Sequence, residues 1–143
     1  MPELPFAGQV ALITGGAKRI GRSIALQLAK EGADIVVNYK GSKAEADELV
    51  STISAAGRRA VAVQGDVSKG ADVKSLFAEI SRRMGRLDIL VNNAGMFFTA
   101  DILELKEEQW DAIMATNLKA HFLCAQAAAP LMKQRALARN AWC

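Results

Sequence analysis

Short, unbroken apolar runs alternate along this chain with longer segments whose apolar positions recur at helical spacing. Val10–Thr14 (VALIT) lacks polar alternation and ends at Gly15 and Gly16. Such a run suits a strand covered on both faces, as in a parallel sheet. From Arg19 to Lys30, the residues Ile20, Ile24, Leu26, Leu28 and Ala29 predict a helix, which Gly32 stops. Ala33–Asn38 (ADIVVN) is rich in β-branched residues and predicts a second strand. Lys43–Ala56 predicts a charged amphipathic helix closed by Gly57, and Ala60–Gln64 a third strand. A helix capped by Ser68 is expected through Val73, Leu76, Phe77 and Ile80 to the neighbourhood of Met84, before Gly85. Asp88–Asn92 (DILVN) predicts a fourth strand. Beyond Gly95 the pattern turns helical, and Lys106–Asn117 and Lys119–Lys133 read as one bent helix or two abutting ones.

Strands and helices alternating at such short intervals predict an α/β protein: a three-layer α/β/α, Rossmann-type, doubly wound parallel sheet. Right-handed crossovers allow the strand order 3-2-1-4, with a switch point between strands 1 and 4. Ligands of such sheets lie at the carboxyl ends of the strands, beside that point. The loops Thr14–Gly21, Asn38–Ser42, Asp66–Val67 and Asn92–Gly95 all fall there. At 143 residues the chain reads as a single domain.

Composition narrows the partners. An apolar fraction of 51% with 23% charged residues suits a globular protein rather than a disordered tail. Eighteen Lys and Arg interleave with fifteen Asp and Glu, for a net charge of +3. No basic block stands out, so nucleic acid is not an expected partner. No run approaches the roughly 18 apolar residues of a membrane span, so no membrane partner is expected. The opening MPELPFAG lacks the basic start of a secretory leader. Cys124 and Cys143 have no metal-ligand spacing, and His121 has no second ligand near it. A reduced, cytoplasmic protein with no metal and no disulfide is expected.

Chemistry concentrates in the strand-end loops. Gly15, Gly16 and Gly21 permit a tight turn and a close approach of backbone to a pyrophosphate. The helix after them, with Lys18, Arg19 and Ile20 at its start, offers unpaired N–H groups and a positive dipole end. In Asn92–Gly95 an asparagine amide can bridge neighbouring backbone segments, while Ala94 and Gly95 leave room for a ribose and nicotinamide. A plain turn would use the same residue types.

TGGAKRIG over Thr14–Gly21, Asp66-Val67 after strand 3, Asn92–Gly95 (NNAG) after strand 4 and Asn117 in a helix together resemble the short-chain dehydrogenase/reductase family. The resemblance runs from Val10 to Lys133 and is nearest to the ketoacyl-carrier-protein reductase branch. It departs at Arg19, where the family's TGxxxGxG turn has its middle glycine. It implies NADP(H) as cofactor, held by Gly15, Gly16, Lys18, Arg19, Ile20, Gly21, Asn38, Tyr39, Lys40, Ser42, Asp66, Val67, Asn93, Ala94 and Gly95. Asp66 would accept from the adenine amine, although a helix-capping Asp would look the same. Asn117 would help hold a water near the catalytic lysine. The implied reaction is hydride transfer between the cofactor and a small carbonyl or alcohol substrate.

NADP(H) is expected over NAD(H), because the end of strand 2 holds Asn38, Tyr39 and Lys40 rather than an acid. Lys18, Arg19 and Lys40 could surround a 2′-phosphate, with Ser42 donating to it. The family's later catalytic serine and its Tyr-x-x-x-Lys helix are not found. Tyr39 and Lys43 fit those letters but straddle a Gly41-Ser42 turn. The chain is therefore expected to be a truncated, catalytically incomplete member; the alternative is a dinucleotide-binding module or pseudoenzyme pairing with an intact homologue. Residues 136–143 are expected to form an irregular or frameshifted tail. An open edge at strand 4 and the apolar run Phe122–Leu131 predict a homo-oligomeric or aggregation-prone chain.

Overall fold

The structure, a computed structural model, describes residues 3–139, with side chains through residue 135. The elements run β1 (Val10–Ile13), α1 (Arg19–Lys30), β2 (Asp34–Tyr39), α2 (Lys43–Ala55), β3 (Ala60–Gln64), α3 (Gly70–Met84), β4 (Ile89–Val91), α4 (Glu107–Met114) and α5 (Ala120–Arg139). All strand pairs are parallel, in the order β3-β2-β1-β4. This is the Rossmann-type α/β architecture that the alternation of runs predicts.

Side chains leave a strand alternately on its two faces, and the sheet divides the core accordingly. Val10, Leu12 and Val36 pack with Val73, Leu76, Phe77 and Ile80 of α3 and with Ala120, Cys124 and Ala128 of α5. Ala11, Ile13, Ile35, Val37 and Tyr39 pack with α1 and α2 through Ala25, Ala29, Ala46, Leu49 and Ile53. Helix α1 turns its small residues Gly21, Ala25 and Ala29 to the sheet, while Ile20 is 72% exposed. Small residues allow that helix to sit close, which brings its N-terminus to the end of β1.

Two expectations need correcting, and one open choice is decided. Helix α3 starts at Gly70 with no side-chain cap, because the Ser68 hydroxyl donates instead to the Asp66 carboxylate at 2.6 Å. The two C-terminal helical patterns form one continuous run: Ala115–Lys119 is a π-helical segment joining α4 to α5. Helix α5 carries Pro130 inside it and extends to Arg139, so residues 136–139 continue the helix rather than opening an irregular tail. The rest of that expected tail lies outside the described residues.

At the opposite end of the sheet from the converging loops, Asp88 ties β4 to β1. Its carboxylate accepts from the Val10 amide at 2.9 Å and from Arg86 at 2.7 Å, with Arg135 Nε at 3.9 Å. Burial opposes ionisation of Asp88, but the bonds from Arg86 and Val10 outweigh it and hold the carboxyl below the usual carboxylate range. A carboxyl depressed in the folded state stabilises above its unfolded value, about pH 4, and loses that contribution as pH falls through the folded value. Asp88→Asn is expected to cost about 1–3 kcal/mol at neutral pH and to flatten the loss of stability in acid. Urea denaturation at pH 7 and pH 3 measures both.

Candidate functional site

The strand-end loops meet at the carboxyl ends of β1, β2, β3 and β4, around a crevice of about 500 Å³. Its walls include Gly15, Ala17, Lys18, Arg19, Ile20 and Gly21 from the first loop, and Asn38, Tyr39, Lys40, Gly41 and Ser42 from the second. Gly65, Asp66 and Val67 close one end; Asn93, Ala94, Gly95, Met96 and Thr116 close the other. Of the residues singled out in the sequence, Gly16 and Asn117 are the two that do not line it.

Buried polar side chains splice the loops together. The Thr14 hydroxyl, 1% exposed, accepts from the backbone amides of Asn93 and Ala94, each at 3.0 Å. Asn93 Nδ2 donates back to the carbonyls of Thr14 and Gly15 at 3.0 and 3.1 Å. Asn38 does the same between β2 and β3: its Oδ1 accepts from the Gly15 amide at 3.2 Å and its Nδ2 donates to the Gly65 carbonyl at 3.1 Å. The Asn38 and Asn93 amides are thus committed to backbone, and they shape the crevice rather than offering it free donors. Thr14 was not among the site residues singled out in the sequence. A hydroxyl at the end of a buried strand needs partners, but these lie almost eighty positions away, so no local pattern names them.

Glycines set the approach distances. A Cβ on Gly15 would stand 3.0 Å from Ala94 Cα, and Gly16 lies behind the wall against Ile13. Arg19 has φ +51°, the left-handed region where the family pattern has glycine. Helix α1 begins immediately after Lys18 with no side-chain cap. Its first N–H groups are therefore unpaired donors at the positive end of the helix, and the crevice lies against them. This donor set fits a pyrophosphate.

Charges at the mouth are mostly paired. Lys18 Nζ lies 3.5 Å from Glu45, and Lys40 Nζ 3.1 Å from Asp66. Arg19 has no ion-pair partner among the described residues. Lys43 bonds Asp47, which raises its pKa, with a smaller attraction from Tyr39 acting the same way. At the other end, Asn117 in the π-helical segment clamps Met96: its Oδ1 accepts from the Met96 amide and its Nδ2 donates to the Met96 carbonyl, both at 2.8 Å. His121 Nε2 lies 3.3 Å from the Ala94 carbonyl. Both contacts position the segment after β4. Cys124 is buried in the core, which pushes its thiol up to about 11.

Sheet order, crevice and uncapped helix define a Rossmann-type α/β protein with its site at the switch point. The chain belongs to the short-chain dehydrogenase family, whose model matches residues 9–139. It is 45% identical over 126 residues to the 3-oxoacyl-[acyl-carrier-protein] reductase FabG of Staphylococcus epidermidis, covering 87% of this chain and 52% of that protein. A short chain dehydrogenase from Burkholderia cenocepacia, solved in complex with NADP, superposes with a TM-score of 0.86 at 38% identity, covering 89% of this chain and 52% of that one. A blue fluorescent protein from a metagenomic library, in complex with NADPH, gives 0.85 at 37% identity over 89% and 52%. The chain spans about half the length of the curated relatives it matches.

Proposed function

We propose that the crevice binds NADP(H) in preference to NAD(H) and serves hydride transfer between the nicotinamide and a carbonyl or alcohol substrate. The observation that carries this reading is the uncapped N-terminus of α1 opening on a glycine-walled crevice whose β2 end bears Tyr39 and Lys40 instead of an acid. An acid there would accept from the ribose 2′-hydroxyl and repel a 2′-phosphate. Arg19, Lys18, Lys40 and Ser42 are the chain's groups for that phosphate. The backbone amides at the start of α1 receive the pyrophosphate, Asp66 and Val67 the adenine, and Ala94 and Gly95 the nicotinamide ribose. The relatives solved with NADP and NADPH support the same assignment.

When bound, NADPH supplies the hydride. The alkoxide left by a reduced carbonyl needs a proton donor, a contribution typically worth about 10²–10⁴-fold. The sole tyrosine, Tyr39, packs in the core between the sheet and helices α1 and α2, and its nearest lysine by motif is bound to Asp47. That placement favours a second reading, a cofactor-binding module without turnover of its own. Phe97, Ile102, Leu103, Leu118 and Phe122 are largely exposed and lie on the segment and helices after β4. They support self-association or pairing with an intact homologue.

Isothermal titration of the 143-residue chain tests the first reading. NADPH is expected to bind at least about ten-fold more tightly than NADH, the size of one good charge-assisted contact. Equal affinities would refute the preference. Adding an activated ketone to the NADPH complex and following absorbance at the nicotinamide band separates the two readings: turnover favours the enzyme, its absence the module.

A further inference from the structure

The pair formed by Lys40 and Asp66 divides two spaces. Both residues, with Gly65, line the large crevice and also a neighbouring hollow of about 280 Å³ bounded by Gln64, Lys69 and Asp72. The two partners are held differently. Asp66 is anchored: its amide donates to the Asp72 carboxylate at 2.8 Å, and its Oδ1 accepts from the Ser68 amide and hydroxyl at 3.0 and 2.6 Å. Its side chain is only 14% exposed, whereas that of Lys40 is 77% exposed. The backbone of Lys40 is fixed by Gln64 Nε2 on its carbonyl at 3.1 Å, so the mobile part of the pair is the lysine stem alone. With Oδ1 committed to Ser68, Oδ2 is the oxygen left for a ligand amine, and Lys40 Nζ sits on it at 3.1 Å.

One lysine is therefore placed between two demands of the same ligand. Resting on the NADP(H) reading above, we infer that Lys40 is a latch on Asp66: it leaves the carboxylate for a ribose 2′-phosphate, and the released Oδ2 then accepts from the adenine amine. With a ligand that has a bare 2′-hydroxyl, Lys40 has no stronger partner to move to. Asp66 then meets adenine only after an ion pair is broken without replacement. The lysine thus favours the phosphorylated cofactor and also penalises the unphosphorylated one. Burial works against the Asp66 charge, but the bonds from Ser68 and Lys40 prevail and keep its carboxyl below the usual range; the two Ser68 bonds stay on Oδ1 when the lysine leaves.

A lysine that only binds phosphate and a lysine that also latches Asp66 differ in the sign of one effect. The test is Lys40→Met, which keeps the stem and removes the charge at an exposed position, read by calorimetric Kd for NADPH and NADH on the full chain. NADPH should weaken about ten-fold, as for one lost charge-assisted bond. NADH should tighten about three-fold, the strength of a half-exposed ion pair. Lys69→Met is the control: Lys69 lines the hollow and not the crevice, so both affinities should stay as in the parent. An unchanged or weakened NADH affinity in Lys40→Met, with NADPH binding the parent, overturns the latch and leaves the cofactor reading standing. The same NADH gain in Lys69→Met also overturns it, since a general field effect would then suffice. If neither cofactor binds the parent chain, the cofactor reading fails and the latch with it.

Discussion

Replacing Gly21 with alanine is expected to weaken NADPH binding on the order of 100-fold and to destabilise the fold by about 2–4 kcal/mol, the sum of overpacking and one broken hydrogen bond. The added Cβ would lie 2.5 Å from Asn93 Nδ2, 2.8 Å from the Gly15 carbonyl oxygen and 2.8 Å from Gly16 Cα. None of these is the free end of a flexible side chain. Asn93 Nδ2 and the Gly15 carbonyl are themselves hydrogen-bonded at 3.1 Å, so the methyl wedges into the bond that ties the first loop to the segment after β4. Both walls of the crevice would shift, with a loss of affinity on the order of 100-fold if that strain is relieved only in the free protein. Gly70→Ala is the comparison, because nothing lies within 4 Å of its Cβ. It should leave binding intact. Thermal melts and calorimetry on the two variants check the contrast.

Arg19→Gly is expected to separate stability from affinity. A non-glycine residue at φ +51° carries a strain of about 1–2 kcal/mol, while glycine costs about 0.5–1 kcal/mol in unfolded-chain entropy. The melting temperature should therefore hold or rise slightly. NADPH affinity should fall about 10–100-fold, as one charge-assisted contact to phosphate is lost, and NADH affinity should change little. A lower melting temperature with unchanged NADPH affinity would show that Arg19 serves the fold and not the ligand. Arg19 is suited to the ligand role because it breaks no ion pair among the described residues, whereas Lys18 and Lys40 start from pairs with Glu45 and Asp66.

The sheet was legible in the sequence because each strand is an unbroken apolar run between glycines, and each helix has its own period. The strand order is one that right-handed crossovers allow, and the site was read from the loops that this order brings together. What escaped was set by contacts between residues far apart in the chain. Thr14 reaches Asn93 and Ala94 across almost eighty positions, so no local window reveals that its hydroxyl assembles the crevice. Asn38 reads as a ligand donor from its place after a strand, yet its amide is used up on Gly15 and Gly65. Ser68 has the residue type of a cap, but the nearer carboxylate of Asp66 accepts its hydrogen bond. The π-helical join at Ala115–Lys119 leaves no mark in the hydrophobic period; it shows only in the clamp of Asn117 on Met96.

The most direct test of the central claim is a crystal structure of this chain grown with saturating NADPH. The cofactor should lie across the carboxyl ends of β1 and β4, with its pyrophosphate against the first turn of α1. Its adenine should stand beside Asp66 and Val67, its 2′-phosphate within reach of Arg19 and Lys40, and its nicotinamide by Ala94 and Gly95. Cofactor bound at any other surface, or an empty crevice at saturating NADPH, would contradict the account.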